Sequence, residues 1–185
     1  DLADAGKLVS DGWMFLNSFN TEMAFGGNAE GRPSLESGAS QNDMDYLHVI
    51  NWKAAEQLVA AGKTETINGT RVLRLQKAID EGVLHFIGEP KSPHGVDVTP
   101  NGKFIIVSGK LDTHVSVYSF EKIQAAIQAK KFESKDPYGI PVIGLKDALH
   151  VQVPLGLGPL HTQYDSKDCV AYTSLYVDSQ VAKWN

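Results

Sequence analysis

The feature that most constrains the fold of this chain is a strand–turn–strand–loop–strand unit that occurs more than once. In the clearest copy, the segments 95–99, 103–108 and 114–120 are short and carry alternating or continuous apolar residues, which is typical of strands. Asn101 and Gly102 accept positive φ angles and mark a tight turn between the first two segments. The unit is therefore predicted to be an antiparallel meander.

The same unit recurs towards both ends of the chain. Its C-terminal copy has strands predicted at 161–164, 169–176 and 180–184, and an N-terminal copy has its second and third strands at 13–18 and 46–52. Meanders repeated in tandem are typical of β-propellers. We therefore expect an all-β fold of about three propeller blades. Because a closed ring needs about four blades or more, the chain is expected to be a fragment.

Three insertions lengthen the predicted blades. Residues 20–44 are rich in Gly, Ser and Asn and are interpreted as an ordered excursion or lid. Short helices are predicted over 52–61, with a stop at Gly62, and over 120–131, where the apolar residues share one face.

Composition and chain ends exclude several classes of function. The 185 residues carry 17 Lys and Arg against 22 Asp and Glu, so a basic nucleic-acid surface is not expected. Cys169 is the single cysteine, which excludes an internal disulfide framework and favours a small apolar role for that side chain. No apolar run approaches the roughly 18 residues of a membrane span, and no signal peptide is recognisable. The chain begins at Asp1 without Met and ends at Asn185 within a predicted strand, which again indicates a fragment.

Two of the six histidines occupy matching places. His94 comes directly before the first strand of one meander, and His161 has the same place in the next. In a propeller these positions lie at the mouth of the central channel, so the two imidazoles would converge, and Gly95 would let the backbone come close. Imidazoles without carboxylates suit copper, iron or zinc. The alternative is that each ring bonds a nearby backbone carbonyl. The histidines interpreted as packed or surface residues are His48, His85, His114 and His150.

A second group of candidate ligands is acidic. Glu22 and Asp45 flank the 20–44 segment. A hard cation such as Ca²⁺, which takes carboxylate and carbonyl oxygens, could hold such a segment at its neck. The alternative is a solvated acidic loop.

Several segments resemble nitrous-oxide reductase. The residues that carry the resemblance are PHGV at 93–96, TPNGK at 99–103, SGKL at 108–111, LGLGPLHT at 155–162 and DSQVAKWN at 178–185. FNTE at 19–22 and NDMD at 42–45 are similar to two further elements of that family. The resemblance spans nearly the whole chain. It implies a periplasmic enzyme that reduces N₂O to N₂ and water in denitrification.

The resemblance also implies a fold, cofactors and partners. The family has a seven-bladed propeller followed by a cupredoxin-like domain, so residues 1–185 would be part of the N-terminal propeller and the cupredoxin domain would be absent from this chain. His94 and His161 would be catalytic, as two of seven histidines that hold a copper–sulfide cluster called CuZ. A second copper centre, CuA, would lie in the absent domain. The implied partners are N₂O, an electron donor such as cytochrome c or a cupredoxin, and a second subunit in a head-to-tail homodimer.

The family further implies a Ca²⁺ site. Glu22 and Asp45 match its carboxylate ligands, and Phe19 and Ala39 stand where backbone carbonyls would ligate. Ser92 stands where many members have an asparagine ligand. With only two of the seven cluster histidines, the chain alone is expected to be inactive.

Two other functions are compatible with a propeller. One is a non-catalytic module that binds a protein or peptide, against which the matched histidines and the LGLGPLHT segment argue. The other is a hydrolase or lactonase with a central Ca²⁺, which would need Asp, Glu or Asn where His94 and His161 stand. Copper analysis of a longer protein would distinguish these functions.

Overall fold

The chain folds predominantly into β-strands, as predicted. The computed structural model describes residues 3–18, 45–89, 92–165 and 170–185. Its strands in those ranges are β1 (Ala3–Ala5), β2 (Trp13–Asn17), β3 (Tyr46–Asn51), β4 (Glu65–Ile67), β5 (Thr70–Val72), β6 (Leu84–Gly88), β7 (Pro93–Val98), β8 (Phe104–Gly109), β9 (His114–Ser119), β10 (Ser134–Lys135), β11 (Pro141–Ile143), β12 (Leu149–Pro154), β13 (Pro159–Asp165), β14 (Val170–Leu175) and β15 (Gln180–Trp184). The helices are α1 (Trp52–Ala60), α2 (Leu75–Asp80), α3 (Phe120–Gln128) and α4 (Leu145–Ala148), with a 3₁₀ turn at Leu8–Ser10.

The central meander has one strand more than the sequence predicts. Strands β7, β8 and β9 pair antiparallel in chain order, and β12 adds to the far edge of β9. Its residues LHVQVP alternate apolar and polar side chains, which is typical of a strand, but the prediction treated them as part of an insert. His150, expected in an insert, therefore lies on an edge strand.

The other two meanders are also present. In the N-terminal sheet β1, β2 and β3 pair antiparallel, and β6, β11 and β10 extend that sheet. The β6–β11 pair is parallel. The chain therefore runs through β7, β8 and β9 of the central sheet and then returns to this sheet at β11. The C-terminal strands β13, β14 and β15 form a third antiparallel sheet. Residues 20–44 and Cys169 lie outside the described residues.

Apolar side chains cover both faces of the central sheet. Ile105, Val107 and Tyr118 pack with the N-terminal sheet and α3 in the largest core cluster. Ile106 and the two valines of β9, Val115 and Val117, form a second cluster on the opposite face, against side chains of the C-terminal sheet. The two valines therefore share one face of β9. The central sheet is thus packed between two neighbours, which explains its nearly continuous apolar strands.

Helices α1 and α3 begin directly where strands end. The Asn51 side chain accepts a hydrogen bond from the Ala54 amide at 2.9 Å, which caps α1. Helix α3 ends at Gln128 rather than at the predicted residue 131, and Lys130 is in a left-handed conformation with φ 51°. Helices α2 and α4 are short and were not predicted. Across the described ranges, no helix is both long and apolar enough to span a membrane.

Candidate metal centre

A β-bulge places each of the two candidate histidines. His94 lies inside β7 and His161 inside β13, so the prediction that His94 precedes its strand is wrong by two residues. In β7 the pairing register shifts between Pro93 and Val96, and in β13 it shifts between Pro159 and Thr162. Each shift leaves one extra residue in the strand, and the histidine lies within that interval both times. Bulges of this kind redirect a side chain and are common beside active sites.

The two imidazoles converge across the gap between sheets. Their ring centroids are 5.3 Å apart, with the rings inclined at 71°. Because a metal–imidazole bond is about 2 Å long, this separation is within the span of two rings that share one metal ion or bind adjacent ions. Both residues are half-buried. The convergence predicted from their matching positions is therefore present.

Gly95 makes this approach possible. A Cβ atom on Gly95 would lie 1.8 Å from the Leu160 carbonyl oxygen and 3.1 Å from Nδ1 of His161. The predicted reason for a glycine here was access for a bound group. The structure gives a different reason, because the backbone of β13 occupies the space that a side chain would fill.

Hydrogen bonds hold the backbone around both rings. The Asn17 side chain donates to the His94 carbonyl oxygen at 2.6 Å and so ties β2 to β7. On β13, the Thr162 amide donates to Oδ2 of Asp97 at 2.7 Å, and the Tyr164 hydroxyl donates to the Asp97 carbonyl oxygen at 2.9 Å. These contacts fix the histidine-bearing strands relative to one another.

Asp97 is a functional candidate that the sequence analysis missed. Its Oδ1 atom lies 3.3 Å from Nδ1 of His161, and its side chain is only 11% exposed. Burial raises the pKa of the Asp97 carboxyl, and the Thr162 amide and the His161 ring lower that pKa in part. No local pattern indicates it, because alternation with Val96 and Val98 places Asp97 on the opposite face of β7, and only the packing of β13 buries that face.

A second candidate cluster lies where β3 begins and β6 ends. Asp45 is 1% exposed, so the interpretation of this position as part of a solvated acidic loop is wrong. The next strand brings Glu89 beside it, with the Glu89 amide donating to the Asp45 carbonyl oxygen at 3.1 Å. Ser92, also fully buried, follows with a φ of 52°. Glu22, Phe19 and Ala39 lie outside the described residues.

Glu89 has two carboxylate oxygens that are buried without a hydrogen-bond partner in the described parts of the chain. Burial, and then the nearby Asp45 carboxylate, raise the pKa of Glu89 well above its usual value, and the backbone of Ser18 lowers that pKa in part. A buried carboxylate is costly unless a proton, a cation or hydrogen bonds neutralise it. Ca²⁺ binds such oxygens, so the donor atoms present fit a hard cation. Sequence analysis missed Glu89 because it lies far along the chain from Asp45.

The remaining histidines lie away from these two clusters. His48 packs against Phe86 with centroids 4.3 Å apart and the rings inclined at 43°, and His85 stacks on Phe132 at 5.5 Å. Burial lowers the pKa of each of these two histidines to about 4. His114 lies 2.7 Å from an Asp112 carboxylate oxygen. Among the described residues, no group of three or more His, Cys, Asp or Glu side chains is arranged to hold a metal ion.

Comparison with known proteins identifies the relatives of this chain. No protein-family model matches it. It is 34% identical to the nitrous-oxide reductase of Pseudomonas fluorescens over 152 residues, which cover 80% of the chain and 22% of that protein. It is also 34% identical to the nitrous-oxide reductase of Ralstonia nicotianae over 186 residues, or 97% of the chain and 25% of that protein. The resemblance to nitrous-oxide reductase is confirmed.

The chain spans about a quarter of the length of the nitrous-oxide reductases that it matches. Both converging histidines lie in the segments that carry the resemblance. Among solved structures, Kuenenia stuttgartiensis hydrazine synthase is similar in fold, with a TM-score of 0.56 and 12% identity over 100% of this chain and 45% of that one. At such low identity, only the fold is comparable.

Proposed function

We propose that this chain is part of a nitrous-oxide reductase, in which His94 and His161 bind copper at the site of N₂O reduction. The observation that carries the proposal is the 5.3 Å approach of their rings, from equivalent bulges on neighbouring strands. Each histidine lies in a segment that resembles this family. When bound, a multi-copper sulfide cluster would supply the two electrons that convert N₂O and two protons to N₂ and water.

The proposal assigns the three meanders to consecutive blades of a seven-bladed propeller. The packing of the central sheet between its two neighbours supports this, since blades in a propeller pack face to face around an axis. Strand β7 contacts both β1 and β13, as expected for adjacent innermost strands. A cupredoxin-like domain with CuA would be supplied by sequence outside this chain.

The residues present perform a definite task in this proposal. Neutral imidazoles are good copper ligands and add no charge to the cluster they hold. Gly95 lets β7 and β13 approach so that both rings face one space. Asn17 fixes the His94 backbone from the other side.

The same proposal includes Ca²⁺ at the acidic cluster. Asp45 and Glu89 would supply carboxylate oxygens, and Glu22 would add a third. Phe19, Ala39 and Ser92 remain proposed ligands through their oxygens. The buried Glu89 oxygens support this assignment, because they have no partner within the described ranges. The periplasm, a cytochrome c or cupredoxin donor and a head-to-tail homodimer are the setting that we propose for the complete enzyme.

Alanine substitution tests the copper assignment in the complete protein. We expect His94→Ala and His161→Ala each to lose cluster copper and N₂O reduction, while the CuA absorption is retained. Each variant should lose the copper because the two imidazoles are proposed to hold it together, and one ring alone would not suffice. Copper content by elemental analysis and N₂O consumption are the measurements.

The control is His150→Ala, because His150 is exposed on β12. It should retain both copper and activity. Unchanged copper content and unchanged activity in either His94→Ala or His161→Ala would exclude the assignment. A complete protein that binds a protein or peptide and contains no copper would instead support the non-catalytic binding module.

A further inference from the structure

We propose that Asp97 is a positioning residue, which fixes the tautomer and ring orientation of His161 for metal binding. The proposal rests on the copper-binding role proposed for His161. It assigns a function to a carboxylate that lies on a different strand from the histidine and 64 residues before it in the chain.

The geometry makes Asp97 a fixed partner for the ring. Its Oδ2 atom accepts the amide hydrogen of Thr162, the residue that directly follows His161, at 2.7 Å. Its Oδ1 atom lies 3.3 Å from Nδ1 of His161. One carboxylate therefore contacts both the backbone and the ring of the same short segment. Because the Asp97 side chain is 11% exposed, water competes little for these oxygens.

The chemistry of this pair decides which ring nitrogen is available. When Asp97 is ionised its carboxylate only accepts hydrogen bonds, so Nδ1 of His161 then carries the hydrogen of this contact. In the neutral ring the lone pair is then on Nε2, on the side away from Asp97. Carboxylates commonly orient metal-binding histidines in this way. The contact would hold the Nε2 lone pair ready for copper before any metal arrives.

A matched carboxylate lies on the other side of the same strand. Oδ2 of Asp4 accepts the Val98 amide hydrogen at 2.9 Å and so connects β1 to β7. Asp97 connects β7 to β13 by the same kind of bond. Asp4 lies next to Lys7 rather than a histidine, with Nζ 2.7 Å from its oxygen. Asp4 is thus a control for the loss of a carboxylate that joins two strands.

The test compares Asp97→Asn with Asp4→Asn in the full chain, first without metal. Ring ¹⁵N NMR of labelled histidine, assigned with His161→Gln, reports the His161 tautomer at a pH where the ring is neutral. In the wild-type protein we expect hydrogen on Nδ1. Asparagine can still accept the Thr162 amide, but its NH₂ group then faces the ring, so Asp97→Asn should shift the hydrogen towards Nε2. Asp4→Asn should leave the tautomer unchanged.

Copper titration is the second readout. The copper affinity of the site should fall about 10–100-fold in Asp97→Asn and stay at the wild-type value in Asp4→Asn. Hydrogen on Nε2 in the wild-type protein would overturn the proposal, even if no variant folded. An unchanged tautomer in a folded Asp97→Asn protein would also overturn it. The tautomer is measured without copper, so it tests the role of Asp97 alone. Failure of the proposed function would be shown by a different result, the retention of copper in His161→Ala.

Discussion

At the residue scale, the candidate centre depends on a position where a side chain cannot fit. Gly95 faces the backbone of β13, and a methyl group there would overlap the Leu160 carbonyl oxygen. Backbone atoms cannot rotate away as the end of a flexible side chain can. The two strands would have to separate, and the rings of His94 and His161 would separate with them.

We therefore predict that Gly95→Ala destabilises the protein by about 1–3 kcal/mol, the usual range for overpacking. It should also weaken copper binding at the histidine pair. The control is Gly88→Ala on β6, where a Cβ meets nothing within 4 Å. Urea unfolding gives the free energies, and elemental analysis gives the copper content. Equal stability of the two variants would contradict the close approach of β7 and β13.

At the element scale, the paired strands β3 and β6 place a half-buried histidine, His48, and a buried one, His85, beside aromatic rings. His48 packs at a tilt against Phe86, and His85 stacks on Phe132. Nδ1 of His85 has no hydrogen-bond partner in the part of the chain that the structure describes. Both pKa values are lowered to about 4 by burial, although Asp136 opposes this at His48. These strands therefore favour the uncharged ring.

The direction of the pH dependence follows from these values. Above the ordinary histidine pKa of about 6.5, neither the folded nor the unfolded state protonates these rings. Between that value and about 4, only the unfolded state does. We expect the free energy of unfolding to decrease as the pH is lowered through this window, by up to about 1.4 kcal/mol per pH unit for each histidine.

Substitution distinguishes the contribution of these two histidines to the pH dependence of stability from that of other titratable groups. His85→Leu and His48→Leu should each reduce the pH slope, and His150→Leu on the exposed strand should leave it unchanged. Chemical denaturation at a series of pH values measures the slope. A wild-type slope in both buried-site variants would contradict the prediction.

At the scale of the whole molecule, the acidic cluster joins the start of β3 to the end of β6. Asp45 and Glu89 are both buried there, and the pKa of Glu89 is raised. In the absence of a cation, the stability contributed by neutral Glu89 is present at acid pH and lost as pH rises through its raised pKa. A bound Ca²⁺ would instead stabilise the ionised form and the folded protein with it.

We predict that, at a pH above 7, Ca²⁺ raises the thermal unfolding midpoint of the complete protein. Chelation of Ca²⁺ should lower that midpoint again. At a concentration of about 100 times Kd the expected gain is about 2.7 kcal/mol. Glu89→Gln should remove most of this gain, whereas Glu56→Gln on the exposed surface of α1 should retain it. Scanning calorimetry with and without Ca²⁺ makes the comparison. The same Ca²⁺ shift in Glu89→Gln and wild type would exclude Glu89 as a ligand.

Local sequence patterns determined the meanders, the first turns of α1 and α3 and the equivalence of His94 and His161, because alternation, capping and turn residues act over a few neighbouring positions. Tertiary structure decided the rest. The bulges that aim the histidines, the space closed to a side chain at Gly95 and the contact of Asp97 with His161 all arise between strands distant in sequence. The parallel strand β11 was missed for the same reason, since its pairing with β6, rather than its own residues, makes it a strand. Glu89 gains its importance only from burial beside Asp45, which no spacing along the chain reveals.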